Sequence, residues 1–175
     1  MKKTVIILIA AALMLAFTAC AAGNEAKDDA VQGEVLSFTT TDVNGSTVSS
    51  KDIFSENKVT MINVWASWCG PCVGELDELE ELGKTLSEMD CTLIGILDDG
   101  DEASGLEAGK TLISAHGLTY TVLIPNDEIH SQLSYMYYPT TFFVDSSGRM
   151  IGEPIIGAQV DKYLPAIQKL LADMN

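Results

Sequence analysis

Basic residues are scarce in this chain: 175 residues hold 10 Lys and Arg against 25 Asp and Glu, a formal net charge of −15. Nucleic acids and anionic lipid head groups are gripped by basic patches, so this balance argues against both as partners and favours solubility. Histidine is scarcer still. His116 and His130 are the two present, each isolated in a polar stretch. There is one CxxC, no second one and no HxxxH, so the spacings of a zinc site are missing. The longest apolar run, residues 5–17, is shorter than the roughly 20 residues that make a comfortable membrane span. Beyond the first 34 residues no repeat or low-complexity tract occurs.

That short apolar run has a different use. Lys2 and Lys3 precede it, which gives the charged n-region and the h-region of a signal peptide. Leu15-Ala16-Phe17-Thr18-Ala19-Cys20 then resembles the lipobox of bacterial lipoproteins, with Phe17 where Leu is usual. This resemblance implies cleavage before Cys20 and lipidation of that cysteine. Ala19-Cys20-Ala21 also reads as an ordinary small-residue cleavage site of a secreted protein, and both readings put the protein outside the cytoplasm. Cleavage takes away two lysines and no acid, so 10 basic and 25 acidic residues become 8 and 25, about −17. The expected organisation is a signal peptide over 1–19, a lipid-anchored flexible spacer over 20–34, and one domain over 35–175. A domain of that length buries a proper core without disulfide staples.

The domain is organised around Thr60-Met61-Ile62-Asn63-Val64-Trp65-Ala66-Ser67-Trp68-Cys69-Gly70-Pro71-Cys72. Residues 59–64 are apolar and β-branched, the pattern of a short buried strand, and Gly70-Pro71 breaks it. Leu76, Leu79, Leu82 and Leu86 then recur at helical spacing among acids, which predicts an amphipathic helix over about 71–89. Cys69 sits at the mouth of that helix and Cys72 in its first turn. Unpaired N–H groups and the helix dipole favour a thiolate there, so Cys69 is expected to be the acidic, exposed attacker.

The remaining elements follow from pattern. A hairpin turning at Asn44-Gly45 opens the domain over 35–49, and a short helical turn covers 50–54. Buried strands are expected at 91–97 and 120–124, with helices at 102–116, 127–136 and 161–174. A second hairpin is expected from 140–145 and 149–152 around Gly148. Strand, helix, strand in this order implies a parallel crossover, so the fold class is α/β. Gly105 and Gly109 weaken the pattern of the helix at 102–116. Tyr163, Leu164, Ile167, Leu170 and Leu171 are expected as the buried face of the last helix.

Trp68-Cys69-Gly70-Pro71-Cys72 after a buried strand resembles the thioredoxin active site. Tyr138-Pro139-Thr140-Thr141-Phe142-Phe143-Val144-Asp145, followed by Gly148, resembles the segment of that fold in which a cis-proline opens the strand facing the two thiols. Proline lacks an N–H and suits such a strand end. The helix and strand between about 101 and 124, together with Asn63 and Glu75, narrow the likeness to the TlpA/ResA family. Asp77 departs from it, since Pro is common there.

This resemblance implies a thioredoxin fold with an N-terminal β-hairpin and a helix-strand insertion before the cis-Pro segment. It also implies an extracytoplasmic, commonly membrane-tethered thiol-disulfide oxidoreductase. Cys69 and Cys72 would be the redox pair, with Glu75 relaying the proton of Cys72 and Pro139 shaping the site. Trp68, Gly70, Pro71, Tyr138 and Pro139 would meet the substrate, with Trp68 shielding Cys69. No cofactor and no resident metal are implied. The partners implied are protein disulfides, such as apocytochrome c or methionine sulfoxide reductase, and a CcdA/DsbD-like membrane thiol carrier as electron donor. Gly70-Pro71 matches the reducing member of the fold. The alternatives are a copper-binding metallochaperone of the same fold, drawing on both thiols and His130, and a thiol oxidase or isomerase. As bland readings, Glu75 is one acid of an acidic helix, both histidines are solvated, Trp65 and Trp68 pack, and Cys91 is an inert core thiol.

Overall fold

The computed structural model describes residues 33–174. The expected signal peptide, Cys20 and nearly all of the spacer lie outside the described residues. At the centre stand two parallel strands, β3 (Val59–Trp65) and β4 (Cys91–Leu97). Every residue of β3 is buried, as a strand covered on both faces must be. Alternation sorts its side chains. Met61 and Trp65 enter one core with Leu76, Leu79, Leu86, Tyr163 and Ile167, while Ile62 and Val64 enter another with Phe54, Ile129 and Phe142.

Among the described residues the sheet has seven strands in the order β2-β1-β5-β4-β3-β6-β7. β1 (Thr39–Asp42) and β2 (Thr47–Ser49) form the expected opening hairpin, and Gly45 supplies the positive φ of +86° that its turn requires. β5 (Thr121–Ile124) continues the parallel set beside β4 and pairs antiparallel with β1. β6 (Thr140–Asp145) runs antiparallel to β3 on its other side. α1 (Ser50–Ser55) and α4 (Ala103–Ala115) stand close to where periodicity places them. Gly105 and Gly109 are close-packing positions: a Cβ on Gly105 would lie 1.9 Å from the Asp99 carbonyl oxygen, and one on Gly109 2.2 Å from a Leu97 methyl. No described helix is long and apolar enough to cross a membrane.

Four expectations need correction. The single helix over 71–89 is two, α2 (Gly70–Gly74) and α3 (Leu76–Ser87), jointed at Glu75. Gly74 weakens the helix there, and the Glu75 N–H turns back to the Cys72 carbonyl at 3.2 Å, a tightened last turn. Asp77 sits past the joint, in the first turn of α3. α5 is shorter than expected, Asp127–Gln132, because the chain turns extended at Leu133 and carries Tyr135 and Tyr138 to Asp98. The second hairpin keeps a single bridge, Val144 to Met150. Gly152, at φ +67°, turns the chain, and β7 (Ile155–Ile156) takes the β6 edge instead. In α6 (Val160–Asp173) Tyr163 and Ile167 are buried, whereas Leu164, Leu170 and Leu171 are only partly so.

Candidate active site

β3 delivers the site at its C-terminal end. Past Trp65 the chain reverses, with the Cys69 N–H donating to the Ala66 carbonyl at 3.0 Å. Ser67 fixes this turn: its N–H and its hydroxyl both donate to the Asp99 carboxylate, at 3.0 and 2.6 Å. Cys69 then caps α2, its Sγ accepting the Cys72 N–H at 3.3 Å, and Pro71 occupies the first turn, where its missing N–H costs nothing. Cys69 and Cys72 are joined in a disulfide, with Cα atoms 5.3 Å apart.

The two sulfurs are unequal. Cys72 is fully buried and Cys69 is 5% exposed, so Cys69 is the more accessible of the pair but is far more covered than its expected exposed state. The joint at Glu75 leaves only five residues of helix behind it. The Cys72 N–H, 3.3 Å from Cys69 Sγ in the disulfide, is the donor placed to meet a Cys69 thiolate on reduction, since the helix field falls off within a turn in any case.

Glu75 is no surface acid. It is 2% exposed, and its two carboxylate oxygens accept hydrogen bonds from Asn63 Nδ2 at 3.0 Å and from the Tyr163 hydroxyl at 3.0 Å. Asn63 Nδ2 also donates to Thr141 Oγ1 at 3.1 Å, across the β3–β6 pair. Burial raises the carboxyl pKa to about 7. The hydrogen bonds from Asn63 and Tyr163 offset part of that rise, and Glu78 nearby adds to it. Burial likewise pushes Tyr163 up to about 12, so its hydroxyl remains a donor to Glu75.

Tyr138-Pro139 is cis, and Pro139 is buried. Thr140 pairs with Val64, so continuing the register sets Pro139 level with Trp65, at the sheet end from which Cys69 leaves. Gly70 and Pro71 are exposed on the same turn. Packing accounts for fully buried Trp65 and not for Trp68, which is 70% exposed and leans edge-on against Tyr138, ring centroids 5.5 Å apart.

Both histidines have partners. His116 Nδ1 lies 2.7 Å from Asp77 and is partly covered, a departure from the solvated reading, and His130 Nε2 lies 3.2 Å from Asp98 Oδ1. Cys91 is buried at the far end of β4, its thiol pKa raised chiefly by that burial, which matches an inert thiol. Among the described residues no three His, Cys, Asp or Glu side chains gather as a metal would need. Sequence reading passed over Asp98, Asp99 and Tyr135 as site residues, and took Tyr163 only as part of a helix face. The available signal was position, since Asp98-Asp99 directly follows a parallel strand, at the carboxyl end of the sheet where such folds place their ligands.

The AhpC/TSA family model matches residues 31–151. The thiol-disulfide oxidoreductase ResA of Bacillus anthracis is 30% identical over 137 residues, covering 78% of this chain and 75% of that one. A thiol:disulfide interchange protein DsbE homolog of Paracoccus denitrificans is 28% identical over 134 residues, covering 73% and 70%. Among solved structures, a thiol:disulfide interchange protein of the thioredoxin family from Chlorobium tepidum superposes with a TM-score of 0.65 at 26% identity, over 81% of this chain and 97% of that one. With the cysteine pair linked at the head of α2 and the sheet that carries it, these likenesses settle the assignment: the chain belongs to the AhpC/TSA family and is a ResA-like thiol-disulfide oxidoreductase of thioredoxin fold.

Proposed function

We propose that this protein is an extracytoplasmic, membrane-tethered reductase of protein disulfides. The observation that carries the reading is the Cys69-Cys72 pair at the head of α2 with a buried, nearly neutral-pKa Glu75 at the next joint of the chain. In the reduced enzyme the Cys69 thiolate attacks one sulfur of a client disulfide. The client S–S bond breaks, a mixed disulfide forms, and the departing client thiolate takes a proton. Cys72 then gives up its proton, with Glu75 as acceptor, and attacks Cys69 Sγ. This releases the second client sulfur as a thiolate, which takes the proton Glu75 received, and leaves the Cys69-Cys72 disulfide. Two electrons have passed from enzyme to client.

Recharging needs a dithiol donor, and a CcdA/DsbD-like membrane thiol carrier fits an enzyme anchored through Cys20. Haem-site cysteines of apocytochrome c, and hence cytochrome c biogenesis, or an extracytoplasmic methionine sulfoxide reductase are the clients this reading favours. The copper alternative draws on His130, whose Nε2 lies 3.2 Å from Asp98 Oδ1. Direction is tested by the midpoint potential of the Cys69-Cys72 couple against a glutathione or dithiothreitol series. The Gly70-Pro71 pair predicts a value close to the reducing thioredoxins, about −270 mV, whereas a value close to about −120 mV would make the protein an oxidant and overturn the reading.

A further inference from the structure

Asp98 closes β4, and its N–H donates to the Trp65 carbonyl at 2.8 Å, which ties it to the strand that delivers the cysteines. One of its carboxylate oxygens accepts the hydroxyl of Tyr135 and the other accepts the hydroxyl of Tyr138. His130 of α5 approaches the first oxygen at 3.2 Å. Both tyrosines are shifted up in pKa, by burial first and by Asp98 second, so both hydroxyls stay protonated and donate.

The two tyrosines belong to residues 133–139, which have neither helix nor strand to hold them. Side-chain bonds must do that work, and Asp98 accepts two of them. The order it imposes passes directly to the reactive pair. Tyr135 packs on Tyr138 at 5.9 Å and on Phe142 at 6.5 Å, and Tyr138 meets the edge of Trp68 at 5.5 Å, beside Cys69. Trp68 (70%), Met136 (81%) and Tyr137 (60%) are among the most exposed large apolar side chains of the described residues; Trp68 directly precedes Cys69, and Met136-Tyr137 directly precede the Tyr138 that Trp68 touches.

We propose that Asp98 is a positioning residue that sets substrate specificity, clamping Tyr135 and Tyr138 so that Tyr138, Trp68 and the 136–137 tip form an apolar wall against which the chain flanking a client cysteine docks. The proposal rests on the reading that the client is a protein disulfide. A small disulfide reaches Cys69 Sγ with little of that wall, whereas a protein client needs it to dock.

Pre-reduced full chain, freed of reductant, is mixed in single turnovers with insulin as protein probe and with 5,5′-dithiobis(2-nitrobenzoate) as small probe. For Asp98→Ala the ratio of second-order rate constants, insulin over small probe, falls about tenfold. The loss lies in the half-saturating insulin concentration rather than in the limiting rate. Asp98→Asn, which keeps one acceptor oxygen, restores part of the ratio. Tyr138→Phe keeps the ring and removes one clamped hydroxyl; it serves should Asp98→Ala fail to fold, and lowers the ratio about threefold. An unchanged ratio in these variants, with wild type active on insulin, overturns the clamp alone. Wild type that reduces the small probe but not insulin overturns the protein-disulfide reading and the clamp with it.

Discussion

At Glu75, burial and hydrogen bonding pull in opposite directions, and burial wins. Two good donors, Asn63 and Tyr163, favour the carboxylate, yet the group titrates near 7 instead of near 4.5. A folded-state pKa above the unfolded one means that the native protein binds more protons between those values, so stability falls as pH rises from about 4.5 to about 7 and then levels off. A shift of this size corresponds to roughly 3 kcal/mol of native stability withheld above neutral pH. Glu75→Gln removes the titrating group and keeps the shape. The oxidised variant should therefore lose that pH slope in urea melts and exceed wild type in stability at pH 8, with little difference at pH 4. Parallel wild-type and variant curves from pH 4 to 8 would mean that Glu75 is not held protonated.

The elements show which parts of this architecture a sequence can disclose. β3 and β4 were legible because a strand buried on both faces reads as a nearly continuous apolar run, broken in β3 only by Thr60 and Asn63, and the hairpin was legible because Asn44-Gly45 is a turn signal. The redox pair was legible because its chemistry lies within four residues. The joint at Glu75 was not, since Leu76, Leu79, Leu82 and Leu86 all lie past it in α3 and their spacing carries no sign of the turn before them, where Glu75 points inward to partners 12 and 88 residues away. The end of α5 escaped for the same reason: Asp98 captures Tyr135 and Tyr138 from a distant strand, and local pattern holds no trace of that. Gly105 reads from sequence as a weakness of α4, yet it is what lets that helix lie on the Asp99 backbone. Gly105→Ala improves helix propensity by about 1 kcal/mol and forces a backbone clash. The clash dominates, so chemical denaturation should show a net loss of about 1 to 3 kcal/mol. A gain in stability would mean that α4 is not seated as described.

Across the whole molecule, the acid excess favours solubility, and exposed Trp68, Met136 and Tyr137 belong to the proposed docking wall. The charge of −15 gives no purchase to anionic lipid, and the proposed tether is lipid on Cys20. Cys20→Ala should move the protein from the detergent phase to the aqueous phase while leaving thiol exchange in place. Wild type found wholly in the aqueous phase would remove the anchor from the account. The central claim, that Cys69 attacks and Cys72 resolves, is tested most directly by trapping. Cys72→Ser, expressed in its native envelope, should accumulate mixed disulfides between Cys69 and client proteins that vanish on reduction, whereas Cys69→Ser should form few. Absence of any reductant-sensitive adduct from Cys72→Ser, or equal trapping by the two variants, would contradict the mechanism.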